Sequence, residues 1–311
     1  MVSYEHDSLP RMQNDISYVL EQSSIILQDH IGGFSNDLGN PFFALLDSHN
    51  YSGDVLIEYQ ITSDLKKRWS ELNLVYDVDA KESIIFSKLK NHNIHPPIDY
   101  SNFLCTFNGS AHVSRQLLAS VLHKVGLFDV NYCSKNFRTT YGDVESHLRN
   151  YNLTDSEVRL YRKFISSDLE FNNNVFTFDY SRFEHTSNIQ VLEKQITSSF
   201  VHVVSETMAD SYYPFVTEKF LYSVVTRGLF VAFAQHGWHS HLEEFYGFKK
   251  YDKIFDYAFD DIANPIKRLI TMIEMIIKFK SMTTDELMDL YHMEQDTIEY
   301  NYDLYFSGNY K

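Results

Sequence analysis

The most informative stretch of this chain reads Phe200-Val201-His202-Val203-Val204-Ser205-Glu206-Thr207 and then Pro214-Phe215-Val216-Thr217-Glu218-Lys219-Phe220. The apolar run predicts a buried strand that ends in Ser-Glu-Thr, and the proline predicts the start of a helix after a short loop. In open α/β sheets, ligands bind outside the carboxyl ends of strands, beside the helices that follow. Unpaired N–H groups and the helix dipole favour phosphate at such a position. We therefore expect a phosphate-containing ligand here.

Two side chains of the predicted helix can reach that ligand. Its apolar positions recur at helical spacing and form one packed face: Val216, Phe220, Leu221, Val224 and Val225. Lys219 projects away from this face, and Glu218 lies at its margin. The lysine can neutralise a diphosphate, and the carboxylate suits the cis hydroxyls of a ribose or sugar. The alternative is an ordinary helix start with a solvated Glu–Lys pair.

Short apolar runs and amphipathic helices alternate along the rest of the chain. Strands are predicted at residues 55–59, 74–76, 103–107, 200–204 and 229–233, and helices at 64–72, 82–90, 112–125, 188–197, 214–226, 240–246 and 265–280. The last of these helices follows Asn264-Pro265, a good start signal with proline at the first helical position. Strand–helix–strand units of about 30 residues predict α/β architecture with parallel sheets covered by helices.

Length, charge and cysteine content limit the kinds of protein that this chain can be. The chain has 311 residues, about two domains' length, and a formal net charge of −15, which argues against coating nucleic acid through its phosphates. Two cysteines, Cys105 and Cys133, form no disulfide framework or metal motif and fit a reducing compartment. No signal peptide pattern and no membrane-spanning apolar run occurs, so we expect a cytoplasmic protein.

An ordered series of motifs gives the chain a family resemblance. The series consists of Ser205-Glu206-Thr207, Phe215-x-Thr217-Glu218-Lys219, Gly247-Phe248-Lys249, Asp256 and Arg268. It resembles the carboxy-terminal signature of phage and bacterial glycosyltransferases related to the α-1,3-fucosyltransferases, which have the GT-B fold. The resemblance covers about residues 200–270. It departs from the family at Arg227-Gly228-Leu229-Phe230, where such enzymes usually have a Pro-Phe strand.

The resemblance implies a donor site for a nucleotide-sugar. The family's donor-binding glutamate and lysine correspond to Glu218 and Lys219, its earlier glutamate corresponds to Glu206, and Thr217 belongs to the same motif. A second resemblance, over residues 103–137, places Asn108 after a strand and Arg115 in the helix that follows. The planar fork of Arg115 can clamp a donor phosphate; the alternative is a surface arginine in a first helical turn.

The expected fold is therefore α/β, with two Rossmann-like parallel-sheet domains facing a cleft, as in GT-B. We expect an acceptor-side domain at residues 1–140, a connection or insertion at 141–186 and a nucleotide-sugar-binding domain at 187–283. The remaining residues, 284–311, are expected to form a carboxy-terminal helix that packs back on the first domain.

The catalytic base is sought in the first domain. The loop His30-Ile31-Gly32-Gly33-Phe34-Ser35-Asn36-Asp37 offers His30 and Asp37, which suit the deprotonation of an acceptor hydroxyl; an ordinary turn is the alternative. Asp77-Val78-Asp79 is interpreted as a turn, so no essential metal and no cofactor besides the donor are expected. Near His236, His239 and His241, zinc would need a further ligand, and we expect Gln235-His236-Gly237-Trp238 to shape the sugar or acceptor pocket.

The predicted function is transfer of a sugar from a nucleoside diphosphate to a hydroxyl. A Tyr-, Phe- and Asn-rich chain with few Gly and Pro is typical of large-phage proteins, so the expected acceptor is a hydroxymethylated pyrimidine in duplex phage DNA. Cell-envelope glycan is the alternative acceptor, and a non-catalytic phage protein that binds a sugar or partner is the alternative function. The transferred sugar, the nucleotide base, the stereochemical course and the oligomeric state stay open.

Overall fold

The structure is a computed structural model. It describes residues 2–5, 9–28, 41–57, 68–76, 100–108, 113–128, 131–135, 155, 159, 192–206, 209, 216, 217 and 219–309. The chain divides into two compact units, whose described residues fall within Met1–Ser87 for the first and within Lys88–Asp210 and Val216–Lys311 for the second.

The first unit is built on a parallel sheet of four strands. The strands are β1 (Val2–Glu5), β2 (Ser24–Gln28), β3 (Asp54–Ile57) and β4 (Asn73–Tyr76), and they lie in that order across the sheet. Its described helices are α1 (Leu9–Asn14), α2 (Ile16–Leu20) and α3 (Pro41–Ser48). Apolar side chains from the strands and helices meet in one core, where the rings of Phe43 and Trp69 pack edge to face. Burial of this apolar surface stabilises the unit.

The second unit holds another four-stranded parallel sheet, with the order β6-β5-β7-β8. Its strands are β5 (Asn102–Asn108), β6 (Tyr132–Lys135), β7 (Ser199–Ser205) and β8 (Leu229–Phe233). Its described helices are α4 (Val113–Lys124), α5 (Lys219–Val225), α6 (Trp238–Tyr246), α7 (Pro265–Ile277), α8 (Thr284–Met293) and α9 (Gln295–Ser307). Every residue of β7 and β8 is buried, as expected for parallel strands covered on both faces.

The strand order creates a topological switch point. After β5 the chain runs through α4 to β6 on one side of β5, whereas β7 lies on the other side and leads through α5 to β8. The connections that leave the carboxyl ends of β5 and β7 therefore diverge. In doubly wound sheets this is the place where a crevice for ligands forms.

Two strands belong to a different sheet from the one expected. From the sequence we placed β5 and β6 in a first domain ending at residue 140, but β5 pairs directly with β7 and β6 pairs with β5. Apolar periodicity identifies a buried strand without identifying its neighbours, so the sequence does not assign a strand to one of two similar parallel sheets. The α/β class with parallel sheets is confirmed, and the GT-B arrangement of the two units stays a prediction.

The carboxy-terminal residues form two helices, α8 and α9, in place of one. Their described contacts lie within the second unit: Asn301 Oδ1 accepts the N–H of Lys249 at 2.8 Å, and Glu294 Oε1 accepts that of Lys253 at 2.6 Å. Tyr291 also donates its hydroxyl to the carbonyl of Arg227 at 3.1 Å. The expected packing of residues 284–311 on the first domain stays a prediction. Among the described residues, no helix is long and apolar enough to cross a membrane.

The two cysteines lie on neighbouring strands and are both buried and reduced. In the register of β5 and β6, Cys105 pairs with Tyr132 while Cys133 pairs with Thr106. Because side chains alternate between the two faces of a sheet, the two thiols point to opposite faces. Burial raises the pKa of the Cys105 thiol, despite an opposing hydrogen bond with Ser199.

Candidate functional site

Buried polar residues collect at the carboxyl ends of β5 and β7. Asn108 is the last residue of β5, Ser205 is the last residue of β7, and Glu206 follows it directly. All three are at most 2% exposed. Buried polar groups are costly in a core unless they are bonded, so their concentration at the switch point marks a candidate ligand site.

Glu206 joins three elements of the second unit. Its backbone N–H donates to the carbonyl of Phe233 on β8 at 3.1 Å, and its own carbonyl accepts the Ser114 hydroxyl, on α4, at 2.9 Å. Its carboxylate accepts the backbone N–H of Thr217 at 3.2 Å, just before α5 begins. One residue thus links β8, α4 and the start of α5 at the switch point.

The carboxylate of Glu206 is part of a three-residue network with Thr217 and Lys219. The Thr217 hydroxyl lies 2.9 and 2.7 Å from the two oxygens of Glu206 and 2.7 Å from Lys219 Nζ. It can therefore donate to the carboxylate while it accepts from the ammonium. Lys219 Nζ also lies 3.5 Å from Glu206 Oε2, and the side chains of Lys219 and Glu206 are 19% and 0% exposed. The charge of Lys219 is thus largely balanced within the protein.

Helix α5 begins later than expected. We predicted a helix from residue 214, but α5 starts at Lys219 and has seven residues. Thr217 precedes the helix, and its N–H and hydroxyl are committed to Glu206. The predicted apolar positions are all buried, and so are Tyr222 and Ser223. Helix α5 is therefore packed on every side, and its first residue carries the ammonium group.

Three further residues border the network. Arg115, in the first turn of α4, is 6% exposed, so it is not the surface arginine that the alternative interpretation described. The amide of Asn108 lies 3.4 Å from the hydroxyl of Thr106, within β5. Ser205 Oγ is buried and makes no hydrogen bond to any described residue. A buried hydroxyl at the carboxyl end of a strand that makes no hydrogen bond to a described residue is a group that a bound ligand can satisfy.

Several predicted site residues lie outside the described residues. They are the two candidate bases His30 and Asp37 and the candidate sugar-binding Glu218; the segment Asp77-Val78-Asp79, which is expected to form a turn, also lies outside them. Of the predicted donor site, the structure joins Glu206, Thr217 and Lys219 through hydrogen bonds. Asn108 lies at the carboxyl end of the neighbouring strand β5, and Arg115 follows Ser114, whose hydroxyl bonds the Glu206 carbonyl.

The downstream part of the motif series has structural roles. Gly247 ends α6 with φ at +83°, in the left-handed region that favours glycine. Phe248 packs edge to face on Phe220 with 5.2 Å between the ring centroids. Asp256 accepts the N–H of Ala258 at 3.0 Å and so caps the 3₁₀ turn Tyr257–Phe259. These residues shape the helices behind the site.

Arg268 is buried among backbone carbonyl groups. Its Nε donates to Ala234 at 3.0 Å, its Nη1 to Ile262 at 2.5 Å and to Ala263 at 3.1 Å, and its Nη2 to Ala209. Ala209 lies in the connection after β7, and Ala234 follows β8. The guanidinium therefore ties together the segments that leave the carboxyl ends of two neighbouring strands.

Most of the histidine-containing segment after β8 is buried in the core, whereas His236 is exposed, and its expected pocket role stays a prediction. Trp238 is fully buried and packs against Phe220 at 5.9 Å. His239 contacts Asp260, and His236 Nε2 contacts the carbonyl of Asp261 at 3.1 Å. Within the described ranges, no cluster of three or more His, Cys, Asp or Glu side chains is arranged to hold a metal ion.

Sequence reasoning missed Ser114 and Ser205. Ser114 precedes the singled-out Arg115 and sits in a first helical turn, where serine is common. Its partner, the Glu206 carbonyl, is 92 residues away in the chain. From the sequence, Ser205 is only the first residue of the predicted strand end Ser205-Glu206-Thr207. Long-range contacts of this kind leave no local pattern.

Comparison of the chain with protein-family models, with curated proteins and with solved structures found no match. The resemblance to α-1,3-fucosyltransferase-related enzymes therefore stays a prediction from the motifs.

Proposed function

We propose that this protein is a glycosyltransferase that binds a nucleotide-sugar at the carboxyl ends of β5 and β7 and transfers the sugar to a hydroxyl. The observation that carries this proposal is the network of Glu206, Thr217 and Lys219 at a topological switch point. Parallel α/β sheets bind nucleotides at this position, and a lysine held there can donate a hydrogen bond to a phosphate oxygen.

Two cations support binding of a diphosphate. Lys219 has three N–H donors, and two of them face Thr217 and Glu206, so the third remains for a ligand. Arg115 lies in the helix that follows β5, and a guanidinium binds two phosphate oxygens at once. As the bond between sugar and diphosphate breaks, negative charge grows on the leaving group. Cations fixed beforehand stabilise that charge.

The proposed reaction places the acceptor hydroxyl against the anomeric carbon of the donor. Asp37 or His30 is the proposed base that takes the proton of this hydroxyl. The proposed acceptor is a hydroxymethylated pyrimidine of duplex DNA, with cell-envelope glycan as the alternative. With a net charge of −15, contact with DNA would be confined to a small surface. No cofactor beyond the donor is required in this scheme.

The donor site is tested by calorimetric titration of the protein with a panel of nucleoside diphosphates. At least one should bind, and Lys219→Ala should weaken it about 10- to 100-fold, as expected for loss of a charged hydrogen bond. No binding by any nucleoside diphosphate, or equal binding by Lys219→Ala, would contradict the proposal.

The chain offers a matched control in Lys250→Ala. Lys250 Nζ lies 3.3 Å from Glu243, and its side chain is 22% exposed, close to the 19% of Lys219, although its carboxylate partner is 40% exposed. Lys250 lies near the amino ends of the strands, away from the candidate site, because the adjacent Tyr251 bonds the carbonyl of Gly228, just before β8 begins. Lys250→Ala should leave nucleotide binding unchanged.

Transfer is tested by incubating the protein with hydroxymethylated duplex DNA and a set of nucleotide-sugars, followed by mass spectrometry of the nucleosides. A mass increase of one sugar on the modified pyrimidine identifies the acceptor. Transfer to a cell-envelope glycan acceptor, and not to DNA, would favour the alternative acceptor. Tight binding of an intact nucleotide-sugar without any transfer would instead indicate a non-catalytic binding protein.

A further inference from the structure

Glu206 contacts both Thr217 and Lys219 through its carboxylate at the candidate donor site, and it is fully buried. We propose that Glu206 is a positioning residue, which holds Thr217 and Lys219 in place for the ligand without touching the ligand itself. This inference rests on the proposed donor site and changes the role expected for Glu206, which from the sequence was direct contact with the donor.

The hydrogen bonds of the carboxylate support this role. Three donors point at its two oxygens: the Thr217 N–H at 3.2 Å, the Thr217 hydroxyl and Lys219 Nζ at 3.5 Å. A carboxylate that binds the hydroxyls of a ribose must present its oxygens to the ligand. The oxygens of Glu206 are turned inwards and have no exposure, so the residue that faces outward is Lys219.

The energetics of burial explain why the network forms before any ligand arrives. A buried carboxylate is strongly unfavourable unless a cation and hydrogen bonds compensate it. Glu206 therefore draws the Lys219 ammonium and the Thr217 hydroxyl to itself. A free lysine side chain loses much rotamer freedom when it binds a ligand. Lys219 has already lost that freedom in the folded protein, which is preorganisation for binding.

The backbone of Glu206 fixes the frame in which its side chain acts. Its N–H and carbonyl are bonded to Phe233 and to the Ser114 hydroxyl. Ser114 precedes Arg115 in α4. Glu206 therefore links the two helices that carry the cations, α4 with Arg115 and α5 with Lys219. Glu206 thus couples the placement of Lys219 to the neighbouring start of α4.

The first test needs no ligand. The acylation rate of individual lysines is measured by mass spectrometry in the wild-type protein and in Glu206→Gln. We expect Lys219 to react about tenfold faster in the variant, because the ammonium loses its charged partner. Glu243→Gln, which breaks the exposed pair with Lys250, should change the rate at Lys250 less than twofold. An unchanged rate at Lys219 in Glu206→Gln would overturn the proposal.

The second test is a double-mutant cycle, read as the affinity for the nucleoside diphosphate that binds best. Glu206→Gln should weaken binding about tenfold on its own. In a Lys219→Met background it should have no further effect beyond about twofold, because Glu206 acts through the lysine. Full additivity would show direct contact with the ligand and overturn the positioning role. Absence of any binding by the wild-type protein would count against the donor site, and the acylation rates would still decide the role of Glu206.

A companion variant covers the case in which Glu206→Gln does not fold. Thr217→Val keeps the shape of the side chain and removes the hydroxyl that bridges Glu206 and Lys219. Thr217→Val should also accelerate acylation of Lys219. In the Lys219→Met background it should leave the affinity for the nucleoside diphosphate unchanged. If Lys219 in a folded Thr217→Val protein were acylated no faster than in the wild-type protein, the proposal would be overturned.

Discussion

His239 and Asp260 form a buried pair in which the Nδ1 atom of the imidazole lies 2.8 Å from Oδ1 of the carboxylate. The Nε2 atom of His239 accepts the backbone N–H of Ala232, in β8, at 3.0 Å, so the proton resides on Nδ1. Oδ2 of Asp260 accepts the N–H groups of His239 and Ser240. The pair ties the start of α6 to β8 and to the segment after Tyr257–Phe259.

Asp260→Asn should destabilise the protein by about 2–4 kcal/mol, because an N–H donor group replaces one of the two oxygens that together accept three N–H groups. Denaturant unfolding at neutral pH measures this change. Asp261→Asn, at the exposed neighbouring position, is the control and should shift stability by less than about 0.5 kcal/mol. Equal stability of the two variants would contradict the role of the buried pair.

The pair also contributes to acid sensitivity. Burial acts to raise the pKa of Asp260, but His239 and the hydrogen bonds it receives lower that pKa overall from 3.8. The stabilisation by the carboxylate is therefore present above the unfolded-state pKa and is lost as the pH falls through the lower folded-state pKa. Asp260→Asn should lose this part of the pH dependence below pH 4, measured by the same unfolding experiment.

His202 should make the protein less stable in mild acid. Burial lowers the pKa of His202 to about 3 from 6.5, so below pH 6.5 the unfolded state binds a proton that the folded state does not. Stability should fall by up to about 1.4 kcal/mol for each pH unit between 6.5 and 3. His202→Gln, which can still bond the Ser223 hydroxyl 2.6 Å away from Nδ1, should remove this slope. Parallel pH profiles for variant and wild type would refute the prediction.

Arg268→Met should be strongly destabilising, by about 3–5 kcal/mol, because it leaves buried carbonyl groups of several segments without donors. Arg268→Lys should recover only part of the loss, since an ammonium cannot span the same set of acceptors. Thermal unfolding measures both. Lys267→Met, on the exposed side of the same helix, is the control and should be nearly neutral. A neutral Arg268→Met would show that the guanidinium does not hold these segments.

Asn264→Ala should cost about 1 kcal/mol of stability through loss of a helix cap. Asn264 Oδ1 accepts the N–H groups of Ile266 and Lys267, both at 3.0 Å, at the start of α7. Asn264→Asp keeps the acceptor and adds a favourable charge at the helix N terminus, so it should match or exceed the wild type. Urea titrations should therefore give a lower free energy of unfolding than the wild type for Asn264→Ala and an equal or higher one for Asn264→Asp. A loss of stability in Asn264→Asp as large as that in Asn264→Ala would contradict the capping role.

Sequence patterns predicted the elements whose signals are local. The strand at 229–233 was predicted with the bounds that β8 has, since an apolar run after Gly228 is a strong signal. Helix α7 begins at Pro265, as its asparagine cap and proline indicated, although it ends at Ile277, short of the predicted residue 280. The strands at 103–107 and 200–204 each extend by one residue at either end in the structure.

Features that depend on distant partners were not predictable. The pairing of β5 with β7 joins residues about a hundred positions apart, and nothing in either strand specifies it. The burial of Trp238 depends on Phe220, which lies on another helix. The sequence predicts Glu206 as a site residue. Its inward orientation depends on Thr217, which lies just before α5 and bonds the Glu206 carboxylate. In each case tertiary packing decides between alternatives that are locally equivalent.

The opposite orientation of Cys105 and Cys133 has a practical consequence for studying this molecule. The two sulfurs cannot join while the second sheet is intact, so an oxidative crosslink, within one chain or between chains, requires that this sheet has opened. Reaction with a thiol reagent should likewise wait for that opening. The wild-type chain therefore carries two natural reporters of unfolding in β5 and β6, one for each side of the sheet, and their modification rates report the opening of this sheet without an introduced label.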